Sequence, residues 1–198
     1  MPQNMNKAEM RKKYLKLRKE LGPDFRIRAN NAICHNLLSV KELESACTIA
    51  AYFSDGTEPD LSGFIREMTR KNKKFCFPRS EKKADGTGEY EYGLAEVSDY
   101  PGDFVKGAYG ISEPRDALNK IPESKYNELL WLVPGVAFDM EGRRLGRGKA
   151  VYDRLLGNGA GFKIGVFYEC QKCASVPEEE HDRPLDMIVT EKGVYRCK

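Results

Sequence analysis

The 198-residue chain is poor in the side chains that build many metal and catalytic sites, since it contains only two histidines, His35 and His181. Six cysteines are present, but the only close pair is Cys170 and Cys173. A structural zinc site needs a second such pair or nearby histidines. We therefore expect thiols without a metal, as is usual in a chain that lacks a secretion signal. Zinc binding or redox chemistry at Cys170 and Cys173 is the alternative.

The sequence also lacks any apolar run near the ~20 residues that span a bilayer. Its first 19 residues are too polar for the core of a signal peptide, so a cytoplasmic protein with no membrane partner is expected. The formal net charge of +3 is small for a nucleic-acid-binding domain, which usually concentrates a larger basic excess on one face. Nucleic acid is therefore not an expected partner. An RNA-binding module built on the basic segment 7–19 is a rival interpretation.

The chain does contain an ordered series of helix and strand patterns. Residues 6–21 predict a helix with a capping box formed by Asn6 and Glu9. A second helix is predicted over 25–38, with inward-facing side chains at Ile27, Ile33, Leu37 and Leu38. Further helices are predicted at 60–72 and from Lys149 onward. The highly charged face of the first helix is expected to be solvated, as most charge runs are.

Strand patterns alternate with these helices. Strands are predicted at 47–53, 74–79 (ended by Pro78), 89–97 (an antiparallel edge), 129–139, 162–168 and in a closing hairpin around 191–193, with little regular structure at 100–122. A strand, a helix and another strand form a unit that packs as parallel strands. The predicted fold class is α/β, a three-layer sandwich with a mostly parallel central sheet and an N-terminal helical segment. A chain of this length suits one domain, over residues 1–198.

Residues 142–154, GRRLGRGKAVYDR, combine three glycines with five cationic side chains, directly after the most hydrophobic strand pattern. In open α/β sheets, ligands bind beyond the carboxyl ends of strands, and glycine lets a helix start approach an anion closely. We therefore expect this segment to bind phosphate. The spacing is not that of Walker A, because Arg143 and Ala150 stand where glycine and Ser or Thr are needed, and Val151 excludes a dinucleotide fingerprint. A basic surface turn that caps a helix is the alternative.

Asp153 adds a carboxylate to this cationic loop. It lies four residues after Lys149, so the two could form a helix-surface pair worth ~0.3 kcal/mol. Alternatively, Asp153 is a Mg²⁺ ligand, because Mg²⁺ in nucleotide sites is held by one or two carboxylates together with phosphate oxygens. Asp186, just before a predicted strand, is the candidate for a second ligand.

The segment VPGVAFDMEGRRLGRGKAVYDRLL, residues 133–156, resembles the signature of the 5-formyltetrahydrofolate cyclo-ligases, also called 5,10-methenyltetrahydrofolate synthetases. That family shares a PG-x-x-F-D pattern followed by G-x-R-L-G-x-G-[KG]-G-Y-Y-D. Its further elements also occur in order here: Lys7 and Arg11, Glu58 and Asp60, Pro78-Arg79, the GISEP of 110–114, and His181-Asp182 before Asp186. One departure stands out, because Ala150-Val151 replaces the usual Gly-Tyr.

This resemblance implies a ligase that uses ATP and Mg²⁺ to convert 5-formyltetrahydrofolate to 5,10-methenyltetrahydrofolate, with release of ADP and phosphate. The formyl oxygen on N5 would take the γ-phosphoryl group, N10 would close the ring, and phosphate would leave. Such chemistry asks a protein mainly for positioning and charge neutralisation, which the resemblance assigns to Arg147 and Lys149 as catalytic residues. No protein nucleophile is needed, and the sequence shows no Ser/His/Asp or Cys/His arrangement.

The remaining roles follow by position in the resemblance. ATP contacts would come from Lys7, Arg11, Arg144, Leu145, Gly146, Arg147, Gly148, Lys149, Ala150, Val151 and Tyr152. Contacts with the reduced folate would come from Arg11, Phe53, Glu58, Arg147, Gly148, Lys149, Ala150 and Val151, with Glu58 at the pterin and Phe53 beside it. The metal ligands would be Asp153 and Asp186. We expect a monomer; a relative that binds nucleotides or phosphate ligands but acts on a different substrate is the alternative.

Overall fold

The computed structural model describes residues 5–83, 87, 89–107, 111–157, 159–179 and 182–197. Its helices are α1 (Lys7–Lys19), α2 (Pro23–Leu38), α3 (Lys41–Ser45), α4 (Ser62–Arg70) and α5 (Val151–Leu155), with 3-10 turns at Glu123–Glu128 and Glu169–Gln171. Gly110 and His181 of the family-like pattern lie outside the described residues, as does part of the polar turn at 81–89.

Twelve strands are described: β1 (Thr48–Ala50), β2 (Lys74–Lys82), β3 (Tyr90–Val97), β4 (Phe104–Lys106), β5 (Ser112–Pro114), β6 (Lys120–Ile121), β7 (Leu130–Val133), β8 (Ala137–Phe138), β9 (Arg144–Leu145), β10 (Lys163–Val166), β11 (Met187–Thr190) and β12 (Gly193–Arg196). Eight of them form one sheet in the order β12-β11-β10-β7-β1-β2-β3-β6. The five strands from β11 to β2 run parallel, and β12, β3 and β6 add antiparallel pairs at the margins. The predicted α/β class with a mostly parallel sheet is confirmed.

Both faces of the sheet are covered by helices, as the alternation of side chains along β7 shows. Leu130 and Leu132 belong to the apolar cluster with α2 and α4, whereas Trp131 and Val133 belong to the cluster with α5. Successive side chains of a strand point to opposite faces, so a central strand covered on both sides must be apolar throughout. All four residues of β7 are buried, which explains why this run is so hydrophobic.

The predicted helices are present, with corrections to their buried faces. Asn6 caps α1 and forms the predicted capping box with Glu9. In α2, Ile33 and Leu37 are fully buried, but Ile27 is 61% exposed and Leu38 is 37% exposed, so those two predictions of inward-facing side chains were wrong. The helix predicted from Lys149 begins only at Val151 and ends at Leu155.

The predicted strand at 74–79 was wrong at its end, because β2 continues through Pro78 to Lys82. Pairing with β1 stops at Cys76, and the backbone N–H of Leu94, opposite Pro78, donates to the Tyr126 hydroxyl instead of to β2. Pro78 therefore removes no ladder hydrogen bond. The sheet also extends past β3 to β6, so β3 is not the edge, and the segment 100–122 is more regular than predicted.

A small hairpin of β8 and β9 positions the cationic loop beyond β7. Its turn is held by Asp139, a fully buried carboxylate that accepts from the Arg143 side chain at 2.7 Å and from the backbone N–H of Val176 at 2.8 Å. Gly142 in this turn has a φ of +84°, a conformation that favours glycine. No described helix combines the length and apolar character required to cross a bilayer.

Candidate active site

A pocket of about 320 Å³ lies beyond the carboxyl ends of β1 and β7, at the position where open α/β sheets bind ligands. One wall is apolar and largely aromatic; its side chains are Tyr52, Phe53, Phe77, Pro78, Tyr92, Phe104, Ile111, Val151 and Tyr152. The charged side chains around it are Asp55, Glu58, Glu113, Arg144, Arg147, Lys149 and Asp153. Its size and its combination of apolar walls with convergent polar groups are typical of a small-molecule site.

At the floor of this pocket, two carboxylates hold two guanidinium groups. Arg147 donates to the Glu58 carboxylate at 2.9 Å and also pairs with Asp55. Arg18, only 1% exposed, lies 3.5 Å from Glu58 and 3.6 Å from Asp55 and donates to the carbonyl oxygen of Gly135. Burial raises the pKa of Glu58, although Arg147 and Arg18 oppose this shift. The network joins α1, the loop after β1 and the cationic loop.

Arg144 forms a second charged contact deeper in the pocket wall. Its buried guanidinium pairs with Asp153 and lies over the Tyr152 ring, 5.7 Å from the ring centre. Burial lowers the pKa of Arg144, and Asp153 opposes that shift. The buried Tyr152 hydroxyl has no hydrogen-bond partner among the described residues, although it lies in the pocket wall. An unpartnered buried hydroxyl is costly, so it is a natural contact for a ligand.

Helix α1 brings two further cations to the rim. Lys7 lies 3.0 Å from both Glu179 and Asp182, whose hydrogen bonds raise its pKa even though burial alone would lower it. The Arg11 guanidinium donates to the carbonyl oxygen of Gly146 at 2.9 Å. The predicted solvation of this charged face is therefore only half correct, because only some of its cations are exposed: Lys12, Lys13, Lys16 and Lys19.

The chain matches a known protein family over most of its length. The family model described as the 5-formyltetrahydrofolate cyclo-ligase family matches residues 3–191. The chain belongs to this family. A 5-formyltetrahydrofolate cyclo-ligase from Haemophilus influenzae is 31% identical over 189 residues, which cover 92% of this chain and 97% of the relative. A cyclo-ligase of the same name from Escherichia coli K12 is 28% identical over 183 residues, covering 90% of this chain and 96% of the relative.

Solved structures agree with the family assignment. The solution structure of 5,10-methenyltetrahydrofolate synthetase from Aquifex aeolicus is 36% identical, covers 98% of this chain and 94% of its own, and superposes with a TM-score of 0.80. The synthetase from Mycoplasma pneumoniae is 22% identical, covers 94% of this chain and 99% of its own, and has a TM-score of 0.72. At that identity the second likeness concerns the fold alone.

In this cyclo-ligase family member, the residues predicted for the site separate into two groups. Most lie at or beside the pocket, including Phe53, whose ring centre is 4.7 Å from that of Phe104. Leu145 is different, because its side chain is buried in a cluster with Met10 and Tyr14, and its carbonyl oxygen accepts from the backbone N–H of Val136. Only its backbone is near the cationic loop.

Asp186 lies away from the pocket. It contacts Lys163 through the backbone N–H at 2.7 Å and through the ammonium group at 2.9 Å, at the amino end of β10. Lys163 is in register with Trp131, which lies three residues before Pro134 at the pocket. The level of Lys163 in the sheet is therefore ~10 Å from the level of Pro134, measured along the strand. Of the two predicted metal ligands, Asp153 therefore lines the pocket, whereas Asp186 pairs with Lys163 at the other end of the strand; their joint role in binding Mg²⁺ stays a prediction.

The two residues that depart from the family pattern both lie in the pocket wall. Ala150 caps α5 with a φ of +52° and a ψ of +21°, the left-handed conformation in which glycine is preferred. Gly148, two residues earlier, has a φ of +85°. The family's usual glycine at position 150 would adopt this backbone without strain, whereas the alanine methyl does not.

Several features of the site carry a weak sequence signal or none. Arg18 follows Met10 and Tyr14 at helical spacing, so the only sign of its burial in the sequence is that it lies on the apolar face of the helix. Glu113 stands in the GISEP segment, which the resemblance marked without giving it a role, and Tyr92 lines the pocket without any pattern to mark it. Within the described ranges, no three or more His, Cys, Asp or Glu side chains cluster to hold a metal, and Cys170 and Cys173 are free thiols.

Proposed function

We propose that this chain is a 5-formyltetrahydrofolate cyclo-ligase that uses ATP and Mg²⁺ to form 5,10-methenyltetrahydrofolate, within one domain over residues 1–198. The observation that carries the proposal is a single pocket in which an aromatic wall faces a cationic glycine-rich loop. A reduced pterin needs the first surface and a triphosphate needs the second. Both surfaces must meet at one point for a phosphoryl group to pass between the two substrates.

The proposed phosphate site is made of the cationic loop and the two rim cations of α1. Arg147 and Lys149 line the pocket and would neutralise the charge that spreads over the transferring phosphoryl group. Lys7 and Arg11 would hold the outer phosphates, since Arg11 is already anchored to the carbonyl oxygen of Gly146. The left-handed backbone at Gly148 keeps the loop close to that guanidinium, and a Cβ added at Gly148 would lie only 3.5 Å from it.

Before phosphate binds, these cations are paired with carboxylates. Arg147 is paired with Glu58 and Asp55, Arg144 with Asp153, and Lys7 with Asp182. A phosphate oxygen can replace a carboxylate oxygen on a guanidinium group, because both accept the same forked hydrogen bonds. Binding of ATP would therefore exchange partners at a site where positive charge is already ordered.

Asp153 fits the role of the magnesium ligand on the protein. It is the one carboxylate on α5, directly after the proposed phosphate loop, and it pairs with Arg144 of that loop. A single carboxylate with phosphate oxygens and water is a usual magnesium environment. When bound, Mg²⁺ would neutralise phosphate charge and help to orient the triphosphate. The remaining chain chemistry is positional: the aromatic wall around Phe53 would hold the pterin and exclude water from the reacting formyl group.

The direct test is to mix purified protein with ATP, Mg²⁺ and 5-formyltetrahydrofolate and to follow the absorbance of the methenyl product. We expect product that requires all three components, with ADP and phosphate formed in equal amounts. A protein that binds ATP but forms no product above the enzyme-free control would instead support a nucleotide-binding relative that acts on another substrate.

A further inference from the structure

Glu113 is a second buried carboxylate in the same pocket, and no role has been assigned to it. It lies on β5, is 8% exposed and lines the pocket, whereas Glu58 enters from the loop after β1. A carboxylate is rarely buried to this degree unless it is paired with a cation or has a function. The contacts of the two carboxylates therefore show what each is available to do.

Glu58 is neutralised by protein cations, and Glu113 is not. Both Arg147 and Arg18 lie within 3.5 Å of the Glu58 carboxylate. Glu113 forms no ion pair with any residue in the described part of the chain. Its Oε2 atom accepts two hydrogen bonds from Ser80, one from the backbone N–H at 3.0 Å and one from the hydroxyl at 2.6 Å. These bonds hold the carboxylate in one orientation without supplying a full positive charge.

The remaining acceptor capacity of Glu113 faces a pocket with apolar walls. A carboxylate can accept about four hydrogen bonds, and Ser80 provides two. The backbone also closes around the group, since a Cβ added at Gly107 would lie 2.5 Å from the Glu113 carboxyl carbon. Ile111, Phe77 and Pro78 line the same pocket, so a ligand that bound there would exclude water from the carboxylate. Such a site selects a flat ring that carries N–H donors.

We propose that Glu113 recognises the N–H donors of the aminopyrimidinone edge of the reduced pterin, and so determines specificity for the folate ring. This inference rests on the proposed function and deepens it. The pterin carries a ring N–H next to an exocyclic amino group, and the Oε1 atom, which Ser80 leaves free, has two lone pairs that can accept from these adjacent donors. Glu58, by contrast, would meet the pterin as a carboxylate that Arg147 and Arg18 already neutralise.

The test compares Glu113→Gln with the wild type in steady-state kinetics. The glutamine keeps the shape and can still accept from Ser80, but it loses the charge and places an NH₂ group near the substrate's donors. We expect the KM for 5-formyltetrahydrofolate to rise at least tenfold, since hydrogen bonds to charged groups are the strong ones. The KM for ATP should change less than twofold. The matched control is Glu91→Gln, at an exposed position on β3, and it should leave both KM values unchanged.

A purely structural role would lower the melting temperature and alter both KM values together. A second measurement does not depend on how a variant folds. It uses calorimetry to compare 5-formyltetrahydrofolate, the parent ligand, with an analogue in which a methyl group replaces the 2-amino group. The wild-type protein should bind the analogue at least tenfold more weakly than the parent ligand. Glu113→Gln should discriminate between the two ligands less than threefold. Equal binding of both ligands by the wild type would overturn the role of Glu113. Absence of any wild-type product would overturn the proposed function itself, whereas normal wild-type turnover with an unchanged Glu113→Gln KM would overturn only this inference.

Discussion

Replacement of Ala150 by glycine should make the protein more stable. Ala150 adopts φ +52° and ψ +21° at the start of α5, where an L-residue with a side chain costs ~1–2 kcal/mol relative to the right-handed region. Its methyl group lines the pocket, so removing it takes little packing away. Glycine makes the unfolded chain more flexible, which offsets ~0.4–1 kcal/mol of the gain. The net stabilisation should be about 0.5–1 kcal/mol.

The measurement is thermal unfolding followed by circular dichroism, with Ala32→Gly as the matched control. For a chain of this length, 1 kcal/mol corresponds to ~2–4 °C, so Ala150→Gly should raise the melting temperature by about 1–4 °C. Ala32 lies inside α2, where the same change should lower stability by ~1 kcal/mol. A melting temperature for Ala150→Gly that falls, as in the control, would show that position 150 carries no backbone strain.

Two further variants test charges in the pocket. Burial opposes ionisation of Asp55, but hydrogen bonds from Arg147 and Thr57 outweigh it and lower its pKa from 3.8 to about 2. Asp55 should therefore stabilise the fold above about pH 4 and lose this effect as the pH falls toward 2. The melting temperature of Asp55→Asn should then fall less than that of the wild type over this range. Melting temperatures that fall in parallel would contradict the pairing of Asp55 with Arg147. Asp153→Asn should raise the Mg²⁺ concentration for half-maximal turnover about tenfold or more, with the fold preserved. An unchanged magnesium titration would leave Asp153 only as the partner of Arg144.

The features that the sequence predicted well depend on residues that lie close together in the chain. Asn6 and Glu9 are three residues apart, and their capping box forms whatever else the chain does. The first part of the run at 129–139 lies in the centre of the sheet as predicted, because a strand covered on both faces must be apolar at every position. The prediction of one strand up to 139 was wrong, since the central strand ends at Val133 and Ala137–Phe138 pairs with Arg144–Leu145 in a separate hairpin. The cationic loop comes after this strand in the chain, so its place at the carboxyl edge followed from the topology of parallel sheets.

The corrections concern long-range contacts. Arg18 and Glu58 are 40 positions apart, and whether Arg18 is solvated or buried depends on where α1 docks on the sheet. Asp186 precedes its strand, and a residue before a parallel strand lies at the edge opposite the pocket; its pairing with Lys163 reflects that geometry. Pro78 could remain inside β2 only because β1 ends before it.

The sequence by itself determined the fold class, the buried central strand and the cationic loop, since hydrophobic period and residue spacing are local properties of the chain. Only the tertiary structure decided that Glu58 is neutralised by two guanidinium groups and that Glu113 is held by Ser80 with no described cation beside it. The environment of a carboxylate is set by groups from distant segments, and those meet only when the sheet order and helix docking bring them together.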